Sequence, residues 1–99
     1  MVMPKHKVIY MREMAVGEQD SLLCEMPTGV NKVCEQKASD IHHVIFKSQG
    51  GKDEIDNLVA LCKDCHDKAH GKRGGHARAM RNILLKHIQK RRELLNRIH

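Results

Sequence analysis

The apolar and polar positions fall into two short runs and one long periodic stretch. Residues 41–47, rich in Ile, Val and Phe, predict a strand, and residues 57–61 form a second apolar run able to pair with it. Between them, residues 48–53 carry Gly50 and Gly51 and predict a loop. The chain from Asp64 to about His70 favours a helix that Gly71 stops. From His76 to His99 the apolar residues Met80, Ile83, Leu84, Ile88, Leu95 and Ile98 recur mostly at helical spacing. A helix over that stretch would be roughly 35 Å long. Its apolar stripe suits a core contact or a dimer seam. Residues 7–11 carry a weaker signal for a short strand or an arm. Residues 17–20 and 27–29 predict turns, and Gly74-Gly75 a hinge. The expected fold class is α+β, a small hairpin, loop and helix followed by a long helix.

Charge adds a second division to this pattern. Residues 1–70 hold nine Lys/Arg and eleven Asp/Glu, a balance of −2, whereas residues 71–99 hold nine Lys/Arg and one acid, a balance of +8. A mildly acidic body with a strongly basic end suits either a polyanionic partner or a solvated helix. With 99 residues the chain is expected to be one domain, made of an N-terminal arm (1–20), a core (24–71) and a basic amphipathic helix (76–99). One Tyr, one Phe and no Trp exclude a large aromatic core. A chain this small often needs a staple. No run of about 18 apolar residues predicts a membrane-crossing helix. No apolar run follows the basic N-terminus, so the expected compartment is the cytosol, where paired cysteines serve as metal ligands before they serve as disulfides.

The cysteines and histidines supply the candidate chemistry. Cys62-Lys63-Asp64-Cys65 is a C-x2-C pair, the spacing of a metal-binding knuckle. A structural zinc site needs four ligands, and Cys24 and Cys34 are the remaining cysteines; the alternative for Cys24 is a buried small hydrophobe. His66 and His70 stand four apart on the predicted helix and so share a face. Cys65 and His66 point about 100° apart, which argues for two metal sites, one on each side of the helix start. His42 would be a third imidazole for a cation that keeps coordination positions open. His43 would then be a free imidazole beside it, of a type that titrates near pH ~6.5 and suits a general base. Adjacent residues of a regular strand face opposite ways, so a single site served by both histidines requires a twisted, bulged or ending strand.

These residues taken together resemble a known family. The run Cys34-x7-His42-His43, Gly50-Gly51, Asn57 to Leu61, Cys62-x2-Cys65-His66-x3-His70-Gly71 resembles the HNH endonucleases, in the cysteine-bearing branch of the ββα-metal (His-Me finger) nucleases. The likeness covers about residues 24–71, with His43, Asn57 and His66 as the three naming residues. It implies a zinc-stapled ββα-metal finger that cuts DNA, nicking it or breaking both strands. It also implies His43 as the base, His42, His66 and His70 as ligands of one catalytic divalent ion, and Asn57 as a brace that holds His43 in register. Cys24, Cys34, Cys62 and Cys65 would hold structural Zn2+. The catalytic ion would be Mg2+, Mn2+, Ni2+ or Zn2+, and the products would carry a 5′-phosphate and a 3′-hydroxyl. Many members have Asp where His42 stands. The close C-x2-C pair with which the family usually opens is missing here, because Asn31 occupies the expected first position and Cys24 lies seven residues earlier.

Lys72, Arg73, Arg78, Arg81, Lys86 and Lys90 are the expected nucleic-acid contacts, made to phosphates without reading sequence. The competing reading is a zinc-stapled DNA-binding module without catalysis, or an accessory subunit of a phage DNA-processing or packaging complex. Small proteins of this appearance are common in phages and prophages. A homodimer through the last helix, or docking on a larger phage protein, would be compatible with either reading.

Overall fold

The computed structural model describes residues 4–14, 22–30, 32–72 and 74–98. The expected turn at 17–20, Asn31 and Arg73 lie outside these described residues. The elements are α1 (Lys5–Glu13), β1 (Pro27–Gly29), β2 (Lys32–Val33), β3 (Asp40–His43), β4 (Leu58–Leu61), α2 (Lys63–Ala69) and α3 (Ala77–Ile98), an α+β arrangement with two small antiparallel hairpins.

The β3–β4 hairpin is the centre of the molecule. Its register pairs Asp40 with Leu61, Ile41 with Ala60, His42 with Val59 and His43 with Leu58. All four residues of β4 are buried, so the strand is covered on both faces. The period-2 alternation of strand side chains divides them. Val59 and Leu61 join Cys24, Met26, Val44, Ala69, Leu84 and Ile88 in one apolar cluster. Leu58 and Ala60 join Tyr10, Leu22 and Ile41 in the other. The hairpin is thus packed between α1 on one side and α2 with α3 on the other.

Several elements differ from the sequence pattern. Residues 7–11 belong to α1, a helix, and form no strand; Tyr10 is buried against the hairpin, and that tertiary contact selects a helix over the weak β signal. The strand expected over 41–47 ends at His43, because the side chain of Asn57 takes the backbone of Ile45 out of the ladder. Residues 27–29 are one arm of the small β1–β2 hairpin. At the Gly74-Gly75 pair the backbone of Gly75 packs closely on α2: a Cβ there would stand 2.4 Å from the carbonyl oxygen of Lys68. On α3 the stripe residues Leu84 and Ile88 are fully buried in this chain's own core, while Ile83 remains exposed.

A buried polar knot ties the ends of the chain together. Glu25 accepts hydrogen bonds from the Tyr10 hydroxyl, from the Ala60 amide at 2.8 Å and from Arg91 Nη1 at 2.9 Å, and it lies 2.9 Å from His87 Nε2. Arg91 also donates to the carbonyl of Ile55 at 2.6 Å. Burial would raise the Glu25 carboxyl, but His87, Arg91, Tyr10 and Ala60 together hold it below its ordinary value. Removing one member of such a knot leaves a buried charge uncompensated, which costs about 3–5 kcal/mol. Glu25→Gln is therefore expected to lower unfolding free energy by about that amount in a denaturant titration. The sign with pH follows from the depressed value. The contribution of Glu25 is fully present above its ordinary pKa of 4.5 and is lost as pH falls through the lower folded value. The variant should lack that acid limb.

Candidate active site and metal centres

The cysteines come together at the start of α2. Cys62 caps the helix, its sulfur accepting from the Cys65 amide at 3.5 Å. The β1–β2 hairpin returns the chain so that Cys34 donates its amide to the carbonyl of Met26 at 2.9 Å. Cys24, fully buried, joins from the segment just before that hairpin. The sulfurs of Cys24, Cys34, Cys62 and Cys65 all lie within 4.8 Å of one another. Tetrahedral zinc–sulfur bonds would place sulfurs about 3.8 Å apart. The Cys34 and Cys62 sulfurs stand 4.0 Å apart, which fits. Burial pushes the Cys24 thiol up to about 11, and burial with the Cys62 sulfur raises Cys65. A divalent cation would supply the missing counter-charge, so the set suits a metal better than four free thiols.

The histidines assemble on the other side of α2. His42 is buried and shares the Val59 side of the hairpin, which aims it at the helix. Its ring centroid lies 5.0 Å from His66 and 5.2 Å from His70. The Nε2 atoms of His66 and His70 are 3.2 Å apart, and one ligand nitrogen from each of the three rings falls within a 4.8 Å span. Bonds of about 2.0–2.1 Å to one cation would place nitrogens about 3 Å apart, so the trio fits with small adjustments. Phe46 stacks on His70 at 4.8 Å and 14°, backing that ring from one side. Burial, then the charges of the neighbouring imidazoles, lowers His42 to about 3, which keeps it neutral and able to bind a cation. His66 is lowered by the same causes.

His43 faces the opposite way from His42, as strand geometry requires. Its Nε2 lies 2.7 Å from Asp53 Oδ1, and its ring centroid lies 4.6 Å from that of His6 of α1, the two planes tilted at 49°. Because β3 ends here, both histidines border one cleft of about 400 Å3, together with His66, His70, Phe46 and Lys47. Asp53 is held below its usual range by the His43 hydrogen bond and then by Lys47, whose Nζ is 3.3 Å from Oδ2.

Asn57 organises the loop that carries Asp53. It is buried, its Oδ1 accepts from the Ile45 amide at 2.7 Å, and its Nδ2 donates to the carbonyls of Ile45 at 3.0 Å and Lys52 at 3.1 Å. Gly51 lets the loop close, because a Cβ there would fall 1.7 Å from the Ile45 oxygen. Asn57 therefore joins the end of β3, the loop and the start of β4 through three side-chain bonds.

The basic residues do not form one surface. Arg78 and Arg81 line a cavity of about 210 Å3 with His42, Phe46 and Gln49. Lys86 and Lys90 lie on another face of α3, along a largely apolar groove with Leu23, Ile83 and Leu94. Lys72 is exposed at the end of α2. Two residues at the site, Asp53 and His6, carry no spacing signal in the sequence. Both arrive by tertiary packing, one by the braced loop and the other by α1.

Comparison with known proteins matches residues 30–72 to the HNH endonuclease family. A 31-residue stretch is 55% identical to the type IV methyl-directed restriction enzyme EcoKMcrA of Escherichia coli K12, covering 31% of this chain and 11% of that enzyme. A 29-residue stretch is 48% identical to Anaredoxin of Nostoc sp., covering 29% of this chain and 38% of that protein. The chain thus spans about a tenth and about two fifths of the lengths of these relatives.

Proposed function

Because residues 30–72 of this chain belong to the HNH endonuclease family, we propose that the protein is a metal-dependent endonuclease that hydrolyses DNA phosphodiester bonds. The observation that carries this reading is the cleft in which three imidazoles, His42, His66 and His70, converge beside a fourth, His43. The similarity to a restriction enzyme supports DNA as the substrate.

In this reading His42, His66 and His70 hold the working cation, and Cys24, Cys34, Cys62 and Cys65 hold a structural zinc. Imidazole ligands suit Zn2+, Ni2+, Mn2+ or Co2+ better than Mg2+. The bound cation would neutralise charge on the phosphate and its leaving oxygen. The rest of the work falls to the chain. The short contact with the Asp53 carboxylate assigns the Nε2 proton of His43 to that bond, which leaves Nδ1 free to take a proton from the attacking water. Asn57 holds the loop from which Asp53 reaches the imidazole. Arg78 and Arg81 border the cavity beside His42, where they would contact the phosphates flanking the cut. The domain would be single, with α1 and α3 packed on the nuclease core.

The test is a plasmid-nicking assay on protein whose histidine site has been stripped while the cysteine zinc is retained, with Mg2+, Mn2+, Ni2+ or Zn2+ added back. Cleavage that appears only with metal is the expected result. A plasmid that is shifted in a gel but never cut would favour the zinc-stapled DNA-binding module.

A further inference from the structure

We propose that His6, His43 and Asp53 form a second divalent-cation site, on the α1 side of the hairpin, whose occupation captures the imidazole of His43. The three side chains come from α1, the end of β3 and the braced loop, and one ligand atom from each falls within a 4.8 Å span. His43 Nε2 and Asp53 Oδ1, 2.7 Å apart, already have nearly the separation of two donors on one cation. The His6 ring is half-buried, with its centroid 4.6 Å from that of His43. Two imidazoles and one carboxylate are the donor set of a borderline transition cation such as Zn2+ or Ni2+, not of Mg2+. This group is distinct from the trio of His42, His66 and His70, because His42 and His43 face opposite sides of the strand. His6 lies outside the span matched to the family.

The chemistry of occupation is a proton exchange. For a cation to take the Nε2 lone pair of His43, the proton that Nε2 shares in its hydrogen bond to Asp53 must leave Nε2 and shift to Nδ1. A neutral imidazole keeps one proton, which then resides on Nδ1. The nitrogen that would accept from water is thereby filled. Lys47, 3.3 Å from Asp53 Oδ2, opposes a second positive charge, so this site is the weaker of the two histidine sites. The consequence for cleavage rests on His43 being the base; the metal site itself does not.

Calorimetric titration of the full chain with Ni2+, after one equivalent of Zn2+ has filled the cysteines, tests the proposal. The wild type is expected to take up two equivalents, one tight and one weaker. His6→Gln and Asp53→Asn should each lose the weaker equivalent, whereas His66→Ala should lose the tight one and keep the weaker. A wild type that saturates at one equivalent, or a His6→Gln variant that still binds two, would overturn it. Retention of the tight equivalent in His66→Ala would count against the catalytic-centre reading alone and leave this site standing. On that reading, cleavage should rise as the first equivalent binds and fall as the second fills.

Discussion

Replacement of His43 by alanine is expected to slow cleavage by about 10²–10⁴-fold, the range contributed by a positioned general base. The side chain meets Asp53 and His6 and belongs to neither apolar cluster, so its removal leaves the central clusters in place. The strand pairing of residue 43 with Leu58 is a backbone matter and survives the change. The variant should therefore keep the wild-type melting temperature and zinc content and lose activity alone. Single-turnover cleavage under a fixed metal concentration separates this from weakened binding. Activity within threefold of wild type would remove His43 as the base and return attention to the other imidazoles of the cleft.

Loss of the cysteine metal should have the larger structural effect. Cys62 contributes a sulfur to the four-cysteine group, caps α2 through the Cys65 amide and packs in the same cluster as Leu84 and Ile88. Cys24 and Cys34 close the β1–β2 hairpin onto that cluster, so the metal would join three separate parts of the chain. Structural zinc in small fingers binds with an apparent free energy of about 10–16 kcal/mol, comparable with the whole stability of a domain, about 5–15 kcal/mol. Cys62→Ser is expected to release one equivalent of zinc and to abolish the cooperative thermal transition. Chelation of the wild type should give the same outcome, reversed on adding zinc back. A variant that is zinc-free and still melts cooperatively near the wild-type temperature would count against a structural role for the four sulfurs.

Much of the site was legible before the fold. The C-x2-C pair and the H-x3-H spacing need only helix geometry to predict that sulfurs and imidazoles leave α2 on different sides, and they do. The His-His pair required a strand that is twisted, bulged or ending if both rings were to serve one site, and β3 ends there. The apolar runs around Gly50-Gly51 located the hairpin, although its first strand was overestimated, because the bonding of Asn57 to Ile45 is a long-range event with no local signature. The displaced Cys24 is brought to the cluster by a hairpin whose strands are two and three residues long, too short for periodicity to reveal. The basic C-terminal stretch read as one set of phosphate contacts, yet helical rotation and packing divide it. Arg78 and Arg81 stand beside the histidines, Lys86 and Lys90 line another groove, and Arg91 is buried on Glu25.

The sequence by itself determined the α+β class, the β3–β4 hairpin with the helix that follows it, and the four cysteines and three histidines that stand as candidate metal ligands. These follow from spacing, because helix and strand periods convert a local pattern directly into a face. The tertiary structure alone decided which residues from distant parts of the chain share a site. Asp53 reaches His43 because Asn57 and Gly51 close a loop, and His6 reaches it because burial of Tyr10 docks α1 as a helix. Glu25 gathers Tyr10, His87 and Arg91 because packing buries its carboxylate, whose charge is then met by groups of the protein. Each of these contacts depends on long-range packing and satisfaction of buried polar groups, and neither leaves a period in the chain.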